Sequence, residues 1–266
     1  AMGSNVQAQG VANLLSDIVR FFPSPEYREC VGINRKTNEI FEAHHDFAAA
    51  KTAYVFKTMV DPFIGKYSFV KVCSGVLKGD DVLYNPESDA EAKIGKIYTL
   101  SGNKPVEVQE LFAGDIGAIA KLTSTKTGDT LSTKNTPVSY GRTEYSKPYT
   151  YMKYVVNNKG DEDKVSQALA KMMAEDVTLK VVNDSENRQS LIYGMGDQHL
   201  EVTASKLAER YKVGIRLETP KVAFRETIRK NSDVDTKYKK QSGGHGQYGH
   251  VKMRFEPSGD LDTPYV

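Results

Sequence analysis

No run of apolar residues in this 266-residue chain approaches the roughly 20 that a membrane-spanning helix needs. The opening stretch, AMGSNVQAQG, has neither a basic start nor an apolar centre, so no signal peptide is expected. Cysteine is scarce. Cys30 and Cys73 are the two present, far apart in sequence, with Cys73 inside an apolar alternating run. That argues against a disulfide framework and suits a reducing, cytoplasmic setting. The phosphate-cradling pattern GxxxxGK[ST] is absent. His245 and His250 stand without the cysteine or acid pattern that zinc requires. Serine, histidine and acidic residues never fall at the spacing of a nucleophile elbow or a metalloprotease helix. No catalytic residue, cofactor or metal is therefore expected within the chain.

A large charge of one sign is missing too. The net charge is +2, and 39% hydrophobic with 26% charged residues is a soluble globular balance. The charge is uneven, however. Lys221–Arg254 carries nine Lys/Arg (among them Lys237, Lys239 and Lys240) against Glu226, Asp233 and Asp235, a local +6. The remainder carries −4. A basic C-terminal segment on a mildly acidic body points to one end that meets phosphate.

Val11, Leu14, Leu15, Ile18, Val19 and Phe22 recur at helical spacing, and Pro23 and Pro25 end that helix. Its apolar face calls for a partner upstream. Glu26–Lys51 shows no period and reads as a connector. From Thr52 to Thr136, short β runs (Val55–Val60, Tyr67–Val72, Asp81–Tyr84, Ala92–Leu100, Gly117–Leu122, Thr130–Ser132) alternate with Gly, Asp, Asn and Pro, which favours a closed β-barrel. Tyr149–Glu218 then reads strand, helix, strand, strand, helix, strand, the ferredoxin-like βαββαβ order. Its helices are Asp161–Ala174, with Val165, Ala168, Leu169, Met172 and Met173 on one stripe, and Asp197–Tyr211, with Leu200, Ala204, Leu207, Ala208 and Tyr211. Beyond Pro220 the pattern is β again: Val222, Phe224 and Ile228 mark one strand, and Val251, Met253 and Phe255 another. Little chain remains to cover those strands, so this last domain is expected to be partial.

The sharpest local feature is QSGGHGQYGHV, residues 241–251. Gly243, Gly244, Gly246 and Gly249 free the backbone for positive φ and close approach. Three lysines precede them. His245, Gln247 and Tyr248 can stack on or hydrogen-bond to bases, so a protruding hairpin tip that touches RNA competes with an ordinary flexible hairpin. Asn158-Lys159-Gly160-Asp161 matches a guanine-reading NKxD pattern, but that pattern works in a nucleotide fold with a phosphate loop. Here it reads as a turn with Asp161 at a helix N-cap. Gly194–Leu200, GMGDQHL, reads as a strand-to-helix turn with Asp197 capping the helix and His199 in a structural role.

Longer motifs resemble one family. FKTMVDPFIGKYSFVKVCSGVLKGDDV and LFAGDIGAIAKLTSTKTGDTL are similar to the opening and end of domain II of elongation factor G. LIYGMGDQHLEV resembles a turn of its domain III, and PKVAFRETI with QSGGHGQYGHV the start of its domain IV. GVANLLSDIVRFFPSP looks like the last helix of its GTPase domain.

The resemblance implies a multidomain β and α+β chain divided into residues 1–50 (last GTPase-domain helix and connector), 51–140 (domain II, a translation-protein barrel), 141–219 (domain III, ferredoxin-like) and 220–266 (start of domain IV, a partial α+β domain like a ribosomal-protein fold). It implies a fragment of a translational GTPase that binds the ribosome and moves tRNA and mRNA, with GTP and Mg2+ held in a domain this fragment lacks. Ser242, Gly243, Gly244, His245, Gly246 and Gln247 would then contact RNA at the decoding region, with Lys237, Lys239 and Lys240 on phosphates. Met195, Gly196, Asp197 and His199 would face the GTPase domain. Two alternatives stay open: a ribosome-protection or recycling paralogue of the same fold, and a free-standing RNA-binding module. Retention of QSGGHGQYGHV favours translocation over the first. The orphan helix face argues against the second.

Overall fold

The computed structural model describes residues 3–61, 65–102, 104–224 and 228–257, and of Ser242 and His245 the backbone alone. The chain divides into two units, one up to Pro220 and one from Lys221.

The first unit opens with α1 (Val11–Phe21), which ends two residues before Pro23 and has no buried residue. Leu14, Leu15, Ile18 and Val19 lie exposed along it. Residues 26–51, read as a connector, in fact hold β1 (Cys30–Asn34) and β2 (Ile40–Ala43), an antiparallel hairpin. A strand much later in the chain, Val138–Tyr140, pairs with β1 on its other side. The inward positions of the hairpin are Gly32 and Ala43, too small to register as a hydrophobic period.

The barrel follows: β3 (Thr52–Asp61), β4 (Gly65–Ser74), β5 (Val76–Lys78), β6 (Val82–Asn85), β7 (Ala90–Lys93), β8 (Ile97–Ser101), β9 (Lys104–Val108), β10 (Glu110–Phe112), β11 (Ile116–Ala120) and β12 (Thr130–Ser132), with β13 being Val138–Tyr140. Eight strands run in the order β7-β6-β12-β3-β4-β11-β8-β9, and β5 pairs with β10 as a ribbon. They enclose one core of Val55, Val70, Val72, Leu77, Leu83, Ile94, Ile97, Leu111, Ile119 and Leu131. Each such side chain withdrawn from water is worth about 1.5–3 kcal/mol. Ala92–Leu100, read as one strand, is broken into β7 and β8, with Ile94 fully buried between them. Asp129, 2% exposed, fixes the end of the barrel by accepting hydrogen bonds from Asn85 Nδ2 (2.9 Å), the Lys126 amide (2.8 Å) and Arg142 Nη2 (2.7 Å).

The ferredoxin-like part comprises β14 (Thr150–Val156), α2 (Glu162–Glu175), β15 (Lys180–Asp184), β16 (Gln189–Gly194), α3 (Asp197–Tyr211) and β17 (Ile215–Glu218). The sheet runs β15-β16-β14-β17, antiparallel throughout, as the βαββαβ order demands. Val165, Ala168, Leu169 and Met172 of α2 are buried at the expected helical spacing. On α3 the buried residues are Leu200, Thr203 and Leu207, whereas Ala208, assigned to the stripe from sequence, is exposed. Asp161 does hold the N-cap of α2, but its side chain makes no capping bond; it accepts from Lys164 Nζ at 3.0 Å instead.

This part grips the barrel through a polar clamp. Glu175, at the end of α2, accepts the Val60 amide of β3 at 2.7 Å, and Arg210 of α3 donates to the Val60 carbonyl at 2.8 Å. The two side chains also pair with each other at 2.9 Å. One peptide edge of β3 is thus read by an acid and a base together.

The second unit, by itself, is a hairpin of β18 (Ser232–Ser242) and β19 (His245–Phe255). Residues 221–224 are not a strand, contrary to the sequence reading of Val222–Ile228, and residues 225–227 of that reading lie outside the described residues.

Candidate nucleic-acid interface

Eleven residues in each arm make a ribbon roughly 35 Å long. Its register is unbroken from Ser232↔Phe255 to Ser242↔His245, which leaves Gly243 and Gly244 as a two-residue turn. Gly243 has φ 79°, a positive value that two-residue hairpin turns of the primed kind require at their first central position and that Gly adopts without strain. Gly246 and Gly249, read from sequence as loop glycines, are strand residues of β19.

Strand alternation sorts the ribbon into two faces. Val234, Val251, Met253 and Phe255 share one with Thr236, Tyr238, Lys240 and Gln247. Asp233, Asp235, Lys237, Lys239, Tyr248, His250, Lys252 and Arg254 share the other. The three lysines expected on phosphates therefore do not form one row: Lys237 and Lys239 lie on the charged face, and Lys240 lies opposite, at the distal end of the apolar face. On the charged face, Asp235 pairs with Lys252 at 3.1 Å and with His250, and Asp233 lies 3.9 Å from Arg254. The acids thus neutralise the base of the ribbon. Among the described residues, Lys237, Lys239 and Lys240 carry no ion pair, and all three are exposed. Positive charge is left at the distal half, beside Tyr248, 68% exposed, and the exposed Gln247. The side chains of Ser242 and His245 lie outside the described residues. Sequence reasoning had no means of seeing which cations the acids cancel, since that depends on register.

The second group of expected residues sits in the first unit, where β16 turns into α3. Gly196, not Asp197, occupies the N-cap; Asp197 is the first helical residue and accepts from Thr150 Oγ1 at 3.3 Å. His199 Nδ1 accepts the Met195 amide at 3.1 Å, so that nitrogen carries no proton and Nε2–H is left to donate to Asp176 Oδ2 at 3.0 Å. Burial works to raise the Asp176 carboxyl, but the Thr178 hydroxyl and amide, together with His199, outweigh it and hold it below its ordinary value. Gly194 is what lets the corner close: a Cβ there would stand 2.8 Å from Leu200 Cδ2 and 2.9 Å from His199 Nδ1. Met195, Gly196, Asp197 and His199 are thereby brought together as one rigid turn, with His199 as its internal brace. Asn158–Asp161 is likewise a local turn, with Asn158 Nδ2 3.4 Å from Asp161 Oδ2.

Among the described residues no group of three or more His, Cys, Asp or Glu is arranged to hold a metal, and no helix is long and apolar enough to cross a membrane.

Three family models match in succession: Elongation factor G domain 2 over residues 50–134, Elongation Factor G domain III over 146–219, and Elongation factor G domain IV over 220–265. Among solved structures, a crystal structure of a protein from Thermus thermophilus is similar, with a TM-score of 0.69 and 31% identity over 92% of this chain. The match takes in 34% of that protein, so this chain spans about a third of its length. With domains II, III and IV matched in order, and a barrel and a ferredoxin-like sheet where the first two fall, this chain belongs to the elongation factor G family.

Proposed function

We propose that the chain supplies the ribosome-facing lever of a translational GTPase that moves tRNA and mRNA through the ribosome in the cytoplasm. The observation that supports this best is the distribution of charge on the β18–β19 ribbon: neutralised at its base, cationic toward a tip of two glycines. Such a tip is slim, carries no bulky side chain at the turn itself, and can enter a groove of folded RNA. Gly243, Gly244, Gly246 and Gln247 would lie against RNA near the codon–anticodon pair, as would Ser242 and His245. Lys237 and Lys239 would meet phosphates on one side and Lys240 on the other. The residues do no chemistry on RNA; they contribute shape, hydrogen bonds and charge. GTP and Mg2+ would be held by a GTPase domain outside this chain, and Met195, Gly196, Asp197 and His199 would face that domain, passing its conformational change to the barrel as a rigid-body rotation.

Ribosome binding by the full-length protein tests the charge assignment. Each phosphate that a variant no longer neutralises should reduce the slope of log affinity against log salt by about 0.7–0.9. Lys237→Glu with Lys239→Glu should flatten the slope by two such steps and slow translocation. Lys240→Glu alone should flatten it by one. An unchanged slope in both variants removes the ribbon from the RNA interface. Ribosome binding with intact salt dependence but no translocation would point to a paralogue with another task.

A further inference from the structure

The two cysteines, distant in sequence, meet in the fold. Cys30 lies on β1 and Cys73 on β4, strands of different sheets. Ala43, the cross-strand partner of Cys30, packs in one small cluster with Cys73, Val138 and Tyr140, and Cys30 packs against that same cluster. Both are free thiols. Cys73 is buried, at 6% exposure, whereas Cys30 is only half-buried, so a small reagent reaches Cys30 first.

The surroundings favour a reactive Cys30. The Cys73 thiol beside it lowers its pKa to about 6, against the effect of burial, and the charges of Lys71 and Arg28 add to the lowering. Cys73 moves the opposite way, raised by the neighbouring Cys30 and then by burial, and its own S–H reaches the Lys71 carbonyl at 3.7 Å. The other titratable groups near the pair are accounted for. Tyr140 of β13 is pushed up by burial, so it stays a neutral phenol. His44 and Glu29, which flank β1 and β2, lie 3.6 Å apart as a pair of their own. An accessible thiolate backed by a shielded second thiol is the arrangement of an attacking and a resolving cysteine.

We propose that Cys30 and Cys73 form a reversible intramolecular disulfide when the protein meets a hydroperoxide, so that β1 and its sheet become covalently fastened to β4 of the barrel. In the first step the Cys30 thiolate attacks the distal peroxide oxygen. An S–O bond forms, the O–O bond breaks, and the leaving alkoxide or hydroxide takes a proton. In the second step Cys73 sulfur, giving up its proton, attacks the Cys30 sulfenic sulfur. The S–S bond forms and water leaves. Two thiols are oxidised by two electrons and one hydroperoxide is reduced. A low-molecular-weight dithiol reverses the bond by exchange.

The test is intact-mass spectrometry and peptide mapping of this chain after brief exposure to hydrogen peroxide. The wild type is expected to lose the mass of two hydrogens, to yield one peptide joining Cys30 to Cys73, and to recover fully in dithiothreitol. Cys73→Ala should instead accumulate a sulfenic acid at Cys30 that dimedone traps, and Cys30→Ala should leave Cys73 unmodified over the same interval. Alkylation of Cys30 by iodoacetamide should be half-maximal near pH 6 in the wild type and shift upward in Cys73→Ala. Progression of wild-type Cys30 to sulfinic and sulfonic acids without the joined peptide overturns the proposal. So does a bridge formed only between two chains, or an alkylation curve that Cys73→Ala leaves in place.

Discussion

At the scale of single residues, His199 shows how a side chain can resemble a functional histidine and be committed to structure. Both of its ring nitrogens are engaged, one by the Met195 amide and one by Asp176. His199→Ala should cost about 1–3 kcal/mol in urea unfolding, because it leaves a partly buried amide without an acceptor. Asp176 gives the same corner a pH signature. Its carboxyl titrates below the ordinary value in the folded chain, so its contribution is present above that value and is lost as pH falls through the folded one. Urea midpoints of the wild type and Asp176→Asn should therefore converge from about pH 4 downward. A gap that stays constant with pH would contradict the assignment. The sequence placed His199 in a structural turn correctly. It misjudged Asp197 as the cap, because Gly196 can hold the extended cap conformation while Asp197 turns to Thr150.

Elements with a strong internal period were legible. α2 and α3 bury side chains every three or four residues, and β14 to β17 coincide with runs rich in β-branched and aromatic residues set off by those helices and by a polar turn. The pieces that escaped share a physical cause. β1 and β2 bury Gly32 and Ala43, and β5, β10 and β13 are three residues long, which leaves little room for a period to show. The clamp of Glu175 and Arg210 on Val60 is equally invisible in sequence, since its members stand 35 and 150 residues from their partners. Its contribution is measurable. Arg210→Ala and Glu175→Gln should each destabilise by about 1.5–3 kcal/mol and raise the hydrogen-exchange rate of the Val60 amide, with the double variant costing less than the sum. Additive losses would mean that the two side chains act independently. At the hairpin tip, Gly243→Val should weaken the turn by about 1 kcal/mol or more, because the branched side chain must adopt a positive φ. Loss of the Gln247 amide's exchange protection, with the barrel strands unchanged, would report this.

For the molecule as a whole, the order of modules was readable because several long motifs recur in one family's sequence order. The functional claim rests on a division of labour: a body that transmits motion and a slender cationic tip that meets RNA. This chain contains no GxxxxGK[ST] segment, so purified chain should hydrolyse no GTP above background, and measurable turnover would contradict that reading. What could not be read was the sidedness of the tip, since a lysine's face depends on which partner strand it meets and in what register. That sidedness leads to the most direct measurement. A photo-cross-linker introduced at Gln247 of the full-length protein, activated on ribosomes carrying tRNA and mRNA, should join the tip to RNA of the small-subunit decoding region or to the bound tRNA and mRNA. Cross-links confined to protein, or to RNA remote from the decoding region, would contradict the account.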